Sequence, residues 1–579
     1  MNSSLKINEI LIAAALLILA LTLFPEISLA TKKVMLKFDG ISDEILIEAK
    51  TSLELRLESI NTNSLEELKK FGTEASEELK KILKTYGYFD PTIIYELRSP
   101  RAGYWIVKFK VNLKKPIVIK QLDLQLLDHS DSYQNLNNKI KELTLKIKVG
   151  KVFKLDDYLD TKQLLLSLAD RYGYADAKLV EKQVLITPST NSANIKLVLD
   201  PKERSYFGKT SFRNNYFSDK YLARYLPYQE GDYFSNARIK LLQKTLNDSY
   251  LFKDVAVQEN NLEQNDYHKV TVNLTPRKAR HYNLAAGFST DTGIRALAEA
   301  KVRYLNPNAH SLQGVAYASE TKKNLELHYL IPGPYPPTDT YDFSIITEDL
   351  NNENGEALGG QLAFSYATIV RRWQQNARLS FQHEHYRLKH QAYQKSDLLI
   401  PEINWLYDHK DHPINPRSGF LLNIQMLGSV KPIASSTSFF QSRINSKGLV
   451  PILKTTSLIL NCIVGFTTIS DINELPLSLQ FYTGGSQSIR GFKYESIGPG
   501  KNLMVGSATI KQLIYNNFYL TTFFDAGNAS DKFMTKFERG AGVGLIWDTS
   551  VGSLEISYAK ALSKNGRPGM IQLSIGPAI

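Results

Sequence analysis

The sequence predicts α+β repeats followed by an all-β transmembrane barrel of about 16 antiparallel strands. Three observations predict it. The first half repeats with a period of about 80 residues. From about residue 280 the pattern changes to alternation at every second residue. No segment after the N-terminus is apolar for long enough to cross a bilayer as a helix, so a membrane-spanning form has to be a closed barrel.

A chain of 579 residues exceeds one ordinary domain, and its 43% apolar and 22% charged residues are those of an ordered protein. The 31 Tyr and 26 Phe suit aromatic girdles at a membrane interface. Residues 1–30 read as a secretory signal peptide: Lys6, an apolar run from Ile10 to Phe24, and the small-x-small exit Ser28-Leu29-Ala30. A retained membrane anchor is the alternative, although the run is short for one.

The single cysteine, Cys462, excludes an intrachain disulfide. That is compatible with an exported protein whose cores are large. The net charge of +12 reads first as solvated lysines and second as attraction to anionic headgroups or acidic partners. Nucleic acid is not expected as a partner, since no basic-aromatic motif accompanies the charge.

Three units are predicted at 33–112, 113–202 and 203–278. Each carries a turn after an amphipathic helix: Tyr86-Gly87-Tyr88-Phe89-Asp90, Tyr172-Gly173-Tyr174-Ala175-Asp176, and the degenerate Tyr250-Leu251-Phe252-Lys253-Asp254. Glycine there supplies the left-handed residue that ends a helix. Ala75, Leu79, Ile82 and Leu83 share one helical face; Leu165, Leu168 and Ala169 do so in the second unit, and Ile239, Leu242 and Leu246 in the third. Ser235 is the expected N-cap of that third helix. Alternating strands close the units, as in Trp105, Val107, Phe109 and Val111. The sheets of such modules have free edges able to accept an extended peptide, and simple spacers are the alternative. The lead-ins Lys148-Val149-Gly150-Lys151-Val152-Phe153 and Gln229-Glu230-Gly231-Asp232-Tyr233-Phe234 resemble those of POTRA domains.

Residues 279–579 form the predicted barrel. Leu554, Ile556 and Tyr558 alternate with Glu555, Ser557 and Ala559, and Ile571, Leu573 and Ile575 with Gln572, Ser574 and Gly576. A soluble β-sandwich or propeller is the alternative, but no blade repeat is present.

The longest motif is Phe481-Tyr482-Thr483-Gly484-Gly485-Ser486-Gln487-Ser488-Ile489-Arg490-Gly491-Phe492-Lys493-Tyr494. It resembles the internal loop of the BamA/TamA superfamily of outer-membrane assembly proteins, whose mark is a [Val/Ile]-Arg-Gly-[Phe/Tyr] tetrad, here Ile489, Arg490, Gly491 and Phe492. The flanking Gly484 and Gly485 and the following Lys-Tyr-x-Ser-Ile-x-Pro resemble the TamA branch. An arginine folded into a lumen needs a carboxylate. The expected partner is Asp525 in Phe523-Phe524-Asp525-Ala526-Gly527-Asn528, with Gly527 as a motif glycine. Asp408-x-x-Asp411 followed by Pro416-x-x-Gly419, and Gly540 to Trp547 with Gly552 to Leu554, resemble two further strand motifs of the family.

Two departures stand out. Lys511 is placed where the family often has a second acidic residue, which puts a two-carboxylate anchor in doubt. The chain ends Gly576-Pro577-Ala578-Ile579 and not in an aromatic residue; a Gly-Pro-x-apolar ending is compatible with the TamA branch.

No catalytic residues, metal ligands or cofactors are expected. No G-x-S-x-G elbow occurs. Gly498-Pro499-Gly500-Lys501 lacks the first P-loop glycine. His383 and His385 flank Glu384 on one strand face, but no third ligand is evident.

The resemblance implies an assembly factor in the bacterial outer membrane, with its POTRA domains in the periplasm. Its implied mechanism is a lateral gate between the first and last barrel strands, marked by Tyr282, Thr290, Ile571, Leu573 and Gly576. Implied partners are client outer-membrane proteins or autotransporters, outer-membrane lipid, and a TamB-type inner-membrane-anchored protein docking on the first POTRA unit. A two-partner-type secretion pore, a BamA-like general insertase and a passive porin are the rival readings.

Overall fold

The computed structural model describes residues 34–576, apart from 61, 63, 102–103, 128–132, 262–265, 413–415, 454, 534–535 and 550–551. The expected signal peptide and the last three residues lie outside this range. The chain divides into two compact units. One holds the residues up to Phe207 with 231–237 and 262–267, and the other holds 208–230, 238–261 and everything from His268.

In the first unit, helices Asp43–Leu57 and Leu65–Thr85 are followed by strands Thr92–Arg101 and Tyr104–Asn112, with Val34–Asp39 preceding them. The third strand is central, parallel to the first and antiparallel to the second. Sequence pattern explains the packing. Leu68, Phe71, Ala75, Leu79 and Leu83 recur at helical spacing and are buried against Val107 and Phe109 of the central strand. Ser64 starts the long helix by accepting the Glu67 N–H at 3.3 Å. Strands Val118–Leu126, Lys178–Thr187 and Ser192–Asp200 repeat the same sheet order, covered by helices Gln134–Glu142 and Leu155–Arg171.

The two motifs read separately in the sequence are the two halves of one joint. The Gly87 carbonyl accepts the Ile117 N–H at 2.8 Å, and the Ile117 carbonyl accepts the Phe153 N–H at 2.9 Å. The same bonds recur as Ser205 to Gly173 at 2.9 Å and Phe234 to Ser205 at 2.9 Å. Gly87 sits at φ +92° with its missing Cβ 2.4 Å from the Phe153 carbonyl oxygen, so no side chain fits there.

The cap of helix Asn236–Asp248 adds to the sequence reading: Ser235 stands directly before the helix, and Asp170 of the preceding repeat joins it. Ser235 Oγ donates to Asp170 at 2.6 Å, and the Asp170 carboxylate accepts the Asn236 and Ala237 N–H groups at 2.8 and 3.2 Å. A carboxylate satisfies two orphan N–H groups and favours the positive end of the helix better than a hydroxyl.

Strands Tyr206–Arg213, Phe252–Asn261 and Tyr267–Pro276 form the third sheet, again with the last strand central. Its degenerate turn leads to the barrel: the Leu251 carbonyl accepts the Arg277 N–H at 2.8 Å. Within the second unit, Arg224 donates to the Gly333 carbonyl at 2.8 Å, and Phe217 and Tyr304 meet edge-on at 5.2 Å.

From Arg280 to Gly576 the chain closes into a barrel of 16 strands, each antiparallel to its neighbours. Strand Lys322–Pro332 shows the pattern. Leu325 and Leu327 are exposed on the outer face, while Asn324, Glu326 and His328 point inward and hydrogen-bond to one another or to Asp342. No helix among the described residues is long and apolar enough to cross a membrane.

Candidate functional site

The loop between barrel strands Thr456–Thr468 and Asn502–Tyr515 folds into the lumen. Its Arg490 is 8% exposed and Asp525 is 0% exposed. The guanidinium grips the carboxylate at two points, Nε to Oδ2 at 2.8 Å and Nη2 to Oδ1 at 2.7 Å, and the Arg490 N–H adds a third bond at 3.0 Å. Ser507 and Thr509 accept further bonds from Nη2 at 3.1 and 2.9 Å, and Ser507 also donates to Asp525 at 2.6 Å. The guanidinium lies 3.4 Å over the Phe523 ring. A buried charge pair is tolerated only when its remaining donors and acceptors are filled, and here hydroxyls fill them.

Strand parity produces this geometry. Asp525, Phe523 and Thr521 share the inner face of strand Phe518–Ser530, while Leu520 and Phe524 are exposed outside. Ile489 and Phe492 are buried with Phe481, Leu503, Val505, Ala529 and Ala561. Gly491, at φ +90°, lies so close to the backbone of Lys560 and Ala561 that a Cβ would meet them at 2.9 to 3.0 Å. Gly484 and Gly485 also have positive φ, at +107° and +106°. Gly527 faces Val505, with no room for a side chain.

Lys511 does not reach the loop arginine. It pairs with Asp548 at 2.9 Å and lies over the Tyr519 ring. The positions beside Arg490 on that strand belong to Ser507 and Thr509. The doubt about a two-carboxylate anchor therefore ends in one carboxylate and two hydroxyls.

The sequence reading missed other anchors of this loop. Asp291, in the turn after the first barrel strand, accepts the N–H and hydroxyl of Ser486 at 2.7 and 2.6 Å. Glu495 accepts from Asn352 at 2.8 Å, and its carbonyl accepts from Asn354 at 2.8 Å. Lys493 pairs with Glu353 at 2.7 Å. Glu384, 2% exposed, bonds the Ser478 hydroxyl and N–H. Glu384 turns inward between His383 and His385, and His383 bonds Asp397 at 2.6 Å. Among the described residues no group of three or more His, Cys, Asp or Glu could hold a metal ion. The only available signal for these anchors was a polar residue at an inward position, which most lumenal residues share.

The barrel closes between strands Arg280–Ser289 and Gly569–Gly576. Among the described residues they pair at two positions, Phe288 with Ile575 and Ser289 with Ser574. The first and second strands pair at ten, from Arg280–Val302 to Ser289–Gly293. Thr290 donates to the Leu573 carbonyl at 3.0 Å, and the Leu573 N–H returns to the Thr290 hydroxyl at 3.3 Å. Thr290 and Leu573 thus meet across the seam. Tyr282 pairs only with Ala300 of the second strand, Ile571 with Tyr558, and Gly576 with Ser553.

The Omp85 superfamily domain matches residues 308–578, the first domain of the TamA POTRA set matches 36–113, and the POTRA repeat of surface antigens matches 205–277. The chain carries an Omp85 superfamily domain together with POTRA domains. It is thus an outer-membrane protein with periplasmic POTRA domains, in a superfamily of protein-transport and assembly factors. BamA of Haemophilus ducreyi lacking POTRA domains 1–3 has a similar fold, with 17% identity and a TM-score of 0.65 over 79% of this chain and 99% of that one. CdiB from Acinetobacter baumannii is 14% identical, with a TM-score of 0.47 over 93% of this chain and 99% of that one.

Proposed function

We propose that this Omp85 protein is a TamA-like assembly factor that inserts or exports client proteins, autotransporters among them, through a lateral gate. Tyr282, Thr290, Ile571, Leu573 and Gly576 line the gate region. The observation that carries this reading is the seam, paired at two positions among the described residues and bridged by the lumenal loop. Ser486 of the loop holds the turn after the first strand, and the Gly491 N–H reaches Gln572 of the last strand through a long 3.4 Å bond.

A backbone hydrogen bond contributes on the order of 1 kcal/mol net, so a seam paired at few positions among the described residues costs little to part. The parted edge of Arg280–Gly287 would template a client strand by β-augmentation. The tetrad, held to the wall by Asp525, keeps the loop in place while the seam opens.

In this reading the units at 33–112, 113–202 and 203–278 are the POTRA domains, which receive clients at their sheet edges. The first of them docks a TamB-type partner. The TamA-type match of the first module supports that placement.

Reconstitution tests the function. The protein in liposomes should speed folding of a urea-denatured autotransporter barrel over empty liposomes. Ion conductance without any effect on client folding would leave a passive pore.

A further inference from the structure

A second site lies in the 113–202 module, away from the barrel. The start of strand Val118–Leu126, the Val149–Gly150 turn and the Thr190–Ser192 turn border an open cleft of about 550 Å³. Lys115 and Lys120 line it, and Lys148 and Lys151 flank its Val149–Gly150 wall. All four lysines are exposed, and among the described residues none makes an ion pair. Their neighbours behave differently: Lys108, Lys114, Lys139, Lys146 and Lys196 each pair with a carboxylate at 2.5 to 2.8 Å.

The joint does not require this charge. The same backbone bonds recur in the third repeat, where Ile117, Ile119, Gly150 and Phe153 correspond to Ser205, Phe207, Gly231 and Phe234. In that frame Lys115, Lys120, Lys148 and Lys151 correspond to Glu203, Gly208, Gln229 and Asp232. One scaffold therefore carries cations at these four positions in one copy and at none of the four in the other. Two unpaired ammonium groups lining one cleft, with two more lysines beside its wall in sequence, repel each other and are relieved by a bound anion.

The backbone of the cleft is already used. The Val118 N–H donates to the Asn191 carbonyl, the Ile119 N–H to the Lys151 carbonyl, and the Gly150 N–H to the Ile119 carbonyl, at 2.8 to 2.9 Å. An added peptide strand would need those groups. What remains are ammonium groups, which suit a compact anion; the Thr190 and Ser192 hydroxyls already bond each other at 2.7 Å. Gly150, at φ +87°, has open space where a side chain would stand.

We propose that this cleft binds a compact phosphate-bearing anion, either a lipid headgroup or a free phosphate.

The test uses the full chain in neutral detergent, titrated calorimetrically with monomeric short-chain phosphatidylglycerol, with glycerol phosphate, with inorganic phosphate and with hexaglutamate. One variant carries Lys→Gln at 115, 120, 148 and 151. A control of equal net charge carries Lys→Gln at 69, 70, 81 and 84. Circular dichroism and heat-modifiable gel mobility confirm that both fold. The proposal expects saturable phosphate binding by the wild type and the control, weakened about tenfold or more in the cleft variant, as loss of charge-assisted hydrogen bonds requires. Binding of phosphatidylglycerol alone identifies a lipid headgroup; equal binding of glycerol phosphate identifies a free phosphate. No saturable phosphate binding by the wild type, equal weakening in both variants, or a cleft variant that binds like the wild type would overturn it. Saturation by hexaglutamate alone would also overturn it, in favour of an acidic peptide.

Discussion

Ser486 and Asp291 are joined twice, the serine N–H and hydroxyl both donating to one carboxylate oxygen at 2.7 and 2.6 Å. Four residues later, Arg490 is anchored on a different part of the wall, at Asp525. The loop is therefore tied to the first hairpin of the barrel as well as to its later strands. Asp291→Ala removes a charged acceptor of two bonds, each worth roughly 1.5–3 kcal/mol. Single-channel recordings should show more frequent opening, with unchanged heat-modifiable gel mobility. Conductance like the wild type would mean that this tie does not restrain the seam.

Arg490→Ala leaves Asp525 buried without its cation, which costs roughly 3–5 kcal/mol. Arg490→Lys should recover only part of this, since an ammonium cannot make the paired contact of the guanidinium. Urea titration of the refolded barrel measures both. Asp525→Asn in the Arg490→Ala background should cost little more than either change alone, because the partners act as a unit.

Asp170→Ala removes the cap of helix Asn236–Asp248 and should cost about 1–2 kcal/mol, with Asp170→Asn in between. Hydrogen exchange at the Asn236 and Ala237 amides should rise in Asp170→Ala. Ser235→Ala should have the smaller effect, since the Asp170 carboxylate still accepts the Asn236 and Ala237 N–H groups.

Gly87→Ala forces a side chain into the left-handed region and against the Phe153 carbonyl oxygen. Gly150→Ala shares the backbone cost, but its added methyl meets nothing within 4 Å. Limited proteolysis near residue 115 should therefore be faster in Gly87→Ala than in Gly150→Ala.

What could be read from the sequence follows from how local each signal is. The Gly87 and Gly173 turns, the alternating strands and the sixteen-strand barrel are written in local patterns of two to four residues. Arg490 and Asp525 stood out because both motifs are long. That the Gly87 turn and the Phe153 lead-in form one joint depends on contacts more than sixty residues apart. The part Asp170 plays was hidden for the same reason: a carboxylate supplied from another repeat leaves no mark beside the helix. Lys511 was misplaced because the register between strands Asn502–Tyr515 and Phe518–Ser530 decides whether it or Thr509 lies beside Arg490. Asp291 and Glu384 look like ordinary inward polar residues until the loop is folded onto them.

The most direct measurement is a lock across the seam. Ser289 and Ser574 are opposed in register, and opposed strand residues approach closely enough for a disulfide. Cysteines at both positions, in a Cys462→Ser background, would fasten the first strand to the last. The account predicts that oxidation abolishes client folding in liposomes and that reductant restores it. Undiminished client folding by a fully cross-linked sample would contradict it.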